Sequence, residues 1–419
     1  MSTLRPNYYA LGIIAVLFFV FGFITWVNGV LIPYFQICLE LTNFQSLWVA
    51  FASYIAYFVL AIPSAYILRS TGYKKGMVIG LIVMAIGTLL FLPAAYARAY
   101  GLFLTGLFIT GSGLALLQTA ANPYVAIIGP IESTAQRVGI MGVANKTAGI
   151  LSQQILGAIF LLNADSIVES ISQANAVERA AILDDYVLKV VNPYLVITII
   201  LVLLAILVAF SRLPEVEEKG DEDVPGQQPK TTVIQYPYLV LGVLALFMAA
   251  ACEVIPIDCI IIYSRSLGIP LQEARHFTEY TLYAMLAGYI TSTIVIPRFI
   301  SQQNALGAVS VIGLVLSAGV YFSEGMVSIV CMMAMGFGAA LLWGTIWGLA
   351  VRDLGRFTKI GAALLLMSVV GGGLFPLLFG HLIDLYPSRP QTSVLVLVPC
   401  YLFLIYYALK GYKIKHWAV

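Results

Sequence analysis

The chain alternates long apolar runs with short breaks of charged, proline or glycine residues. The runs predict helices near 9–34, 46–68, 77–97, 101–128, 138–162, 191–211, 236–263, 278–300, 305–322, 326–351, 360–385 and 393–409. A hydrocarbon layer about 30 Å thick takes about 20 residues of helix to cross, which these runs supply. A transmembrane barrel would instead show ten-residue alternating segments. The predicted fold class is therefore an all-α membrane protein with twelve transmembrane helices.

Two of the runs carry the same local pattern. Residues 111–117 read GSGLALL, and residues 336–342, 225 positions on, read GFGAALL, five identities in seven. Runs 5 and 11 follow Arg137 and Lys359, at an offset of 222. The long charged stretch between runs 6 and 7, with EVEEKGDEDVPGQQPK at its centre, divides the helices six and six. The expected organisation is a six-helix bundle over 1–211, a cytoplasmic linker over 212–235 and a second six-helix bundle over 236–419. Parallel repeats of this kind resemble the plan of major facilitator transporters, which hold substrate near the membrane midplane between the halves.

Composition supports that reading and narrows it. The 419 residues are 61% hydrophobic and 10% charged, against about a quarter charged in a soluble domain. The net charge of +2 and the scattered basic residues exclude a nucleic-acid footprint. Five cysteines without CxxC spacing are read as small core residues, and no leader cleavage site follows the first run, which is expected to be retained. Of the 22 Lys and Arg, fifteen fall on the side that holds both termini and six on the other, which predicts cytoplasmic termini. Lys146 falls on neither side. The polar stretch 163–190 is read as an extracytoplasmic excursion to which no chemistry is assigned.

Ionisable residues inside apolar helices cost about 2.5–3.5 kcal/mol each on insertion scales, so those present usually serve a site. Lys146 stands eight residues into run 5, and Glu253 and Asp258 stand well inside run 7. On an ideal helix the two carboxylates would point about 140° apart, but Pro256 lies between them and a kink there would bring them toward one cavity. These three residues are the candidates for cation coupling, with a sodium site at Glu253 and Asp258 as one form of it. The alternative is a structural ion pair that latches the halves. No cofactor is expected beyond a co-transported proton or sodium ion.

Uncharged polar groups form a second set. Gln118 and Asn122 share a helix face, as do Lys146 and Gln153, and Asn28, Asn145 and Gln154 complete the amides. Amides both donate and accept, which suits sugar hydroxyls, although such groups also bridge helices. Trp26, Trp343 and Trp347 lie too deep to be simple interface anchors and are candidates for stacking on a sugar ring. Gln118 directly follows the first GxGxALL segment and Trp343 the second, which suggests a hydrogen-bonding wall facing a stacking wall. No nucleophile–base constellation or metal-ligand spacing appears, so an enzyme is not expected.

The residues also resemble a known family. Asn28-Gly29 followed by VLIPYFQ, then LTNFQ at 41–45, LQTAANPY at 117–124, ACEV at 251–254 and LLMSVVGGGLFPLLFGHLID at 365–384 are similar to the fucose–proton symporters, a family that includes bacterial glucose/galactose transporters. The resemblance implies inward transport of a hexose by alternating access, usually with a proton. It implies substrate roles for Asn28 and Asn145, and a span-7 acid at Glu253 like that of the glucose/galactose members. The fucose symporter has an aspartate where this chain has Gly29 and a glutamate where it has Gln118. Lys146 replaces a small polar residue.

The expected function is cation-coupled symport of a hexose, with Trp26, Asn28, Gln118, Asn122, Asn145, Glu253, Trp343 and Trp347 at the substrate and Lys146, Glu253 and Asp258 at the coupling site. An uncoupled sugar uniporter and a transporter-derived membrane sensor or scaffold are the alternatives. The expected partners are a small sugar and the lipid bilayer, with the monomer as the working unit.

Overall fold

The computed structural model describes residues 8–127, 134–213, 232–296, 298–352 and 354–417. The centre of the expected linker, 214–231, lies outside them. Within them no strand occurs, and the apolar runs form helices, which satisfy the backbone hydrogen bonds that a bilayer cannot. The first half contains α1 (Tyr8–Thr25), α2 (Asn28–Cys38), α3 (Asn43–Ser46), α4 (Trp48–Thr71), α5 (Tyr73–Leu89), α6 (Phe91–Tyr96), α7 (Tyr100–Ile127), α8 (Thr134–Leu161), α9 (Ala164–Gln173), α10 (Ala176–Leu188) and α11 (Val191–Phe210). The second contains α12 (Pro237–Asp258), α13 (Ile260–Ser266), α14 (Leu271–Ala274), α15 (Phe277–Val295), α16 (Gln302–Phe322), α17 (Gly325–Ala350), α18 (Thr358–Met367), α19 (Gly371–Leu385) and α20 (Leu397–Leu409).

Eleven helical segments among the described residues are long and apolar enough to cross a membrane. Run 8 is the twelfth predicted span. Its helix, α15, is 19 residues long but carries Thr278, Glu279, Tyr280, Thr281 and Tyr283 near its start, which lowers its apolarity. Two predicted spans differ in shape from expectation. Run 1 continues to Cys38 and is interrupted at Trp26 and Val27, so that Asn28 opens a new helix. Run 7 passes through Pro256 as helix and breaks instead at Cys259, directly after Asp258. The stretch 163–190 is two helices, α9 and α10, the second with a complete capping box between Asn175 and Glu178.

The repeated glycine segment does the same packing work in each half. A Cβ at Gly111 would meet the Ser53 carbonyl on α4 at 2.5 Å, and one at Gly336 would meet the Thr281 carbonyl on α15 at 2.5 Å. The second glycine of each motif faces the next helix: Gly113 lies against Gly80 and Met84 of α5, and Gly338 against Val309 of α16. Small residues let membrane helices approach at backbone distance. The first glycine is therefore required in both halves, whereas a Cβ at Gly338 would sit in ordinary contact, 3.4 Å from Val309 Cβ.

Gly111→Ala and Gly336→Ala are expected to destabilise the protein by about 1–3 kcal/mol through overpacking against backbone. Gly338→Ala should be close to neutral. Thermal unfolding in detergent checks the contrast.

Candidate functional site

The breaks in the first and seventh spans place the polar candidates at one depth. Because α1 stops at Thr25, the Trp26 ring can turn toward α8. A Cβ at Gly149 would stand 2.5 Å from Trp26 Cδ1, so the absence of a side chain there makes room for the indole. Trp26 Nε1 donates to Asn145 Oδ1 at 3.2 Å, and Asn145 Nδ2 donates to the Phe18 carbonyl at 3.3 Å. Gln153 Nε2 donates to the Trp26 carbonyl, one of those left without a helical partner by the break. The amide predicted on the Lys146 face thus holds the bend.

Lys146 is the charged centre of this group and is 4% exposed. Its Nζ lies 3.2 Å from Glu253 Oε1 on α12, 3.8 Å from the centroid of the Trp26 ring and 5.6 Å from that of Tyr289 on α15. A desolvated ammonium over an aromatic face gains about 2 kcal/mol. The ion pair joins the two halves, since Lys146 belongs to the first and Glu253 to the second. Glu253 keeps 16% side-chain exposure, so its carboxylate is open enough to accept hydroxyls from a ligand.

Asp258 contrasts with that pair. It is fully buried, neither carboxylate oxygen makes a hydrogen bond of normal geometry, and the Asn28 amide is the side-chain donor that faces it. The Asn28 amide and Glu253 lie within its electrostatic reach, as does Tyr54 of α4, whose hydroxyl is also buried without a partner. An unpaired charge in such surroundings costs several kcal/mol. Gly29, one residue from Asn28, lies at the same seam: a Cβ there would be 3.2 Å from Thr278 Cγ2 and 3.4 Å from the Ile257 carbonyl.

The remaining candidates are placed apart from this cluster. Gln118 Nε2 donates to the Tyr57 hydroxyl at 3.1 Å inside the first half. Asn122, one turn on, is exposed. Trp343 and Trp347 stack on each other in the second half with centroids 5.8 Å apart and an interplanar angle of 21°. Gln154 Nε2 donates to the Tyr283 hydroxyl at 3.1 Å and approaches Glu279 Oε2 at 3.5 Å, another bridge between α8 and α15. The geometry joins Trp26, Asn145, Lys146 and Glu253 by direct contact, with Asn28 and Asp258 beside them.

Sequence reasoning missed Tyr54, Tyr57 and Tyr289. The signal for the first two was a tyrosine pair three residues apart in run 2, which places both on one face. Tyr54 and Tyr57 line a small cavity in the first half together with Asn28, Thr25, Ser53 and Thr110.

Comparison with known proteins agrees with this architecture. A family model described as the Major Facilitator Superfamily matches residues 14–376. A glucose/galactose transporter of Brucella abortus is 31% identical over 413 residues, covering 98% of this chain and 96% of that protein. An L-fucose-proton symporter of Escherichia coli is 28% identical over 398 residues, covering 94% of this chain and 90% of its own length. The crystal structure of the transporter FucP in the outward conformation superposes with a TM-score of 0.73 at 27% identity, covering 96% of this chain and 99% of that one.

The buried ion pair makes a direct thermodynamic expectation. Lys146→Met leaves Glu253 without its cation and should lower stability by about 3 kcal/mol, as should Glu253→Gln for the opposite reason. The double variant should lose much less than the sum, as read from a double-mutant cycle of thermal or denaturant unfolding.

Proposed function

The chain belongs to the Major Facilitator Superfamily, and we propose that it carries a hexose into the cell together with a cation, a proton by preference, by alternating access. The observation that carries the reading is the lone buried carboxyl of Asp258 next to a polar cluster at the seam of the two halves. A buried carboxyl that faces one amide and no cation has little to stabilise its charge. Cation binding that neutralises Asp258 therefore stabilises the closed seam, and its release accompanies opening. A proton does this without further ligands; sodium would require additional oxygen donors. The names of the relatives support both parts, a hexose from one and a proton from the other.

In this reading the sugar lies between the halves near midplane. Glu253 and Asn145 bond its hydroxyls, Trp26 presents an apolar face, and Lys146 fixes Glu253 while it waits for substrate. Asn28 stands between sugar and cation site. Gln118 with Tyr57, Asn122, and the stacked Trp343–Trp347 pair form the outer walls, which the sugar meets as it moves along the seam. The excess of Lys and Arg on the side of the termini supports a cytoplasmic placement of that end, in a bacterial inner membrane. The end carrying Cys38, Asn43, Leu271 and Leu385 is then the outer end. The monomer contains the whole seam and is the proposed working unit.

A uniporter is the second reading. It is favoured by Gly29 and Gln118, which stand where the fucose symporter family has acids, and by the self-neutralising Lys146–Glu253 pair. Proteoliposome uptake of a panel of hexoses under separately imposed proton and sodium gradients distinguishes the two. Uphill accumulation should follow one gradient and collapse with the matching ionophore. Asp258→Asn should lower accumulation by more than tenfold while keeping counterflow exchange, and Glu253→Gln should lose accumulation together with sugar affinity. Accumulation that survives both substitutions would sink the assignment, and counterflow with no accumulation in the parent chain would favour the uniporter.

A further inference from the structure

Away from the seam centre, at the end of the bundle opposite the chain termini, each half presents a carboxylate to the start of a helix in the other half. On one side Asp384, the penultimate residue of α19, reaches α3. Its Oδ1 accepts from the Asn43 backbone N–H at 3.2 Å and from Asn43 Nδ2 at 2.7 Å, and its Oδ2 accepts from the Phe44 N–H at 2.8 Å. On the other side Asp165, just past the end of α8, reaches α14. Its Oδ1 accepts from the Leu271 N–H and its Oδ2 from the Gln272 N–H, each at 2.9 Å.

The two contacts are equivalent under the chain's internal repeat. Asn43 and Leu271 each open the short helix between the first and second spans of their half, and Asp384 stands at the end of the fifth span while Asp165, the second residue of α9, directly follows it. Helix starts leave backbone N–H groups unsatisfied, and here the supply is counted out. At α3, Thr42 Oγ1 accepts from the Gln45 N–H, so the N–H groups of Asn43 and Phe44 depend on Asp384. At α14 the capping position is Pro270, whose side chain can accept nothing, so Leu271 and Gln272 depend on Asp165.

A chain of side chains runs from the first of these contacts to α13 of the second half. Arg265 Nη1 at the end of α13 donates to Gln36 Oε1 on α2 at 3.1 Å. Gln36 Nε2 donates to Asn43 Oδ1 at 2.7 Å, and Asn43 in turn donates to Asp384. The path crosses from the second half to the first and back. Gln36 and Arg265 occupy matching places, two residues past Tyr34 and Tyr263 in the helices that follow the two breaks.

We propose that Asp384 on α3 and Asp165 on α14 are the paired gate of the transport cycle, two reciprocal helix caps that close the outer end and must both release for sugar to enter. The proposal rests on the alternating-access reading above. Separating the halves at this end strips four backbone donors and two carboxylates of their partners at once. That gives the closed state a defined set of bonds which water replaces on opening. It also assigns work to LTNFQ at 41–45 and to the end of the GHLID segment, which meet here, and to Asp165 in the excursion.

The test uses a reporter cysteine behind the gate. Leu47 is fully buried, and its Cδ1 lies where a Cβ on Gly380 of α19 would fall, so Leu47→Cys is covered while the outer end is closed. In right-side-out vesicles a membrane-impermeant maleimide should label Leu47→Cys slowly. Adding Asp384→Asn or Asp165→Asn should raise the labelling rate about fivefold each, the scale of one lost cap. The pair together should raise it by about the product. Asp384→Glu and Asp165→Glu, which keep the charge, should label no faster than half-way to the asparagine variants on a logarithmic scale.

Unchanged labelling in all asparagine variants, with counterflow retained, would overturn the gate and leave the transport reading standing. Raised labelling in a chain that carries no hexose would keep the gate and remove the sugar assignment. Raised labelling at an equally buried cysteine placed in the first half alone, Leu81→Cys, would show loss of folding rather than opening and would also count against the gate.

Discussion

A buried ammonium cannot stand without a counter-charge, and Lys146 finds its own across the seam, on Glu253 of the other half. The rest of the site follows from that requirement. Trp26 must bend away from α1 to put its ring under Nζ, Asn145 must hold the indole, and Gly149 must give up a side chain to admit it. A contact so placed ties the closeness of the halves to the charge balance of the midplane. Whatever disturbs that balance acts on the seam.

Duplication explains how the chain came to have such a seam at all. Each half is built on the same glycine contacts, Gly111 against α4 and Gly336 against α15, and each has its first span broken near the middle. Breaks in membrane helices free carbonyls that lipid cannot satisfy, so they persist only where protein or water replaces the lost bond. Gln153 supplies it to Trp26, and Thr278 supplies it to Ile257 at 3.1 Å. The halves keep the scaffold in common and differ in charge: the cation is in the first and the two acids are in the second.

The sequence made the fold legible because apolar runs of membrane length and a repeated GxGxALL segment leave few other arrangements. It also singled out Lys146, Glu253 and Asp258 by the expense of burying charge. What it left open was which of them would meet. Two carboxylates five residues apart on a helix look equivalent in one dimension, and only the packed seam shows that Glu253 is paired and Asp258 is not. α12 carries through Pro256 as helix and ends at Asp258, so the break of this span lies at Cys259. Gln118 and Trp343 were visible as matched but unlike residues; Trp347 follows Trp343 by one turn of the same helix, whereas Tyr57, the partner of Gln118, comes from another helix that spacing does not reveal. Asp165 gave no signal, since an acid in a polar loop is ordinary until the helix it caps is known.

The central claim is that a mobile cation neutralises Asp258 during transport of a sugar. It is tested most directly by sugar-evoked ion flux in proteoliposomes that hold a trapped pH dye, with no ion gradient imposed. The account predicts that adding the transported hexose outside acidifies the lumen at a rate that tracks sugar entry, and that Asp258→Asn abolishes the acidification while exchange of labelled sugar continues. Sugar entry at full rate with neither proton nor sodium movement, in the unaltered protein, would contradict it.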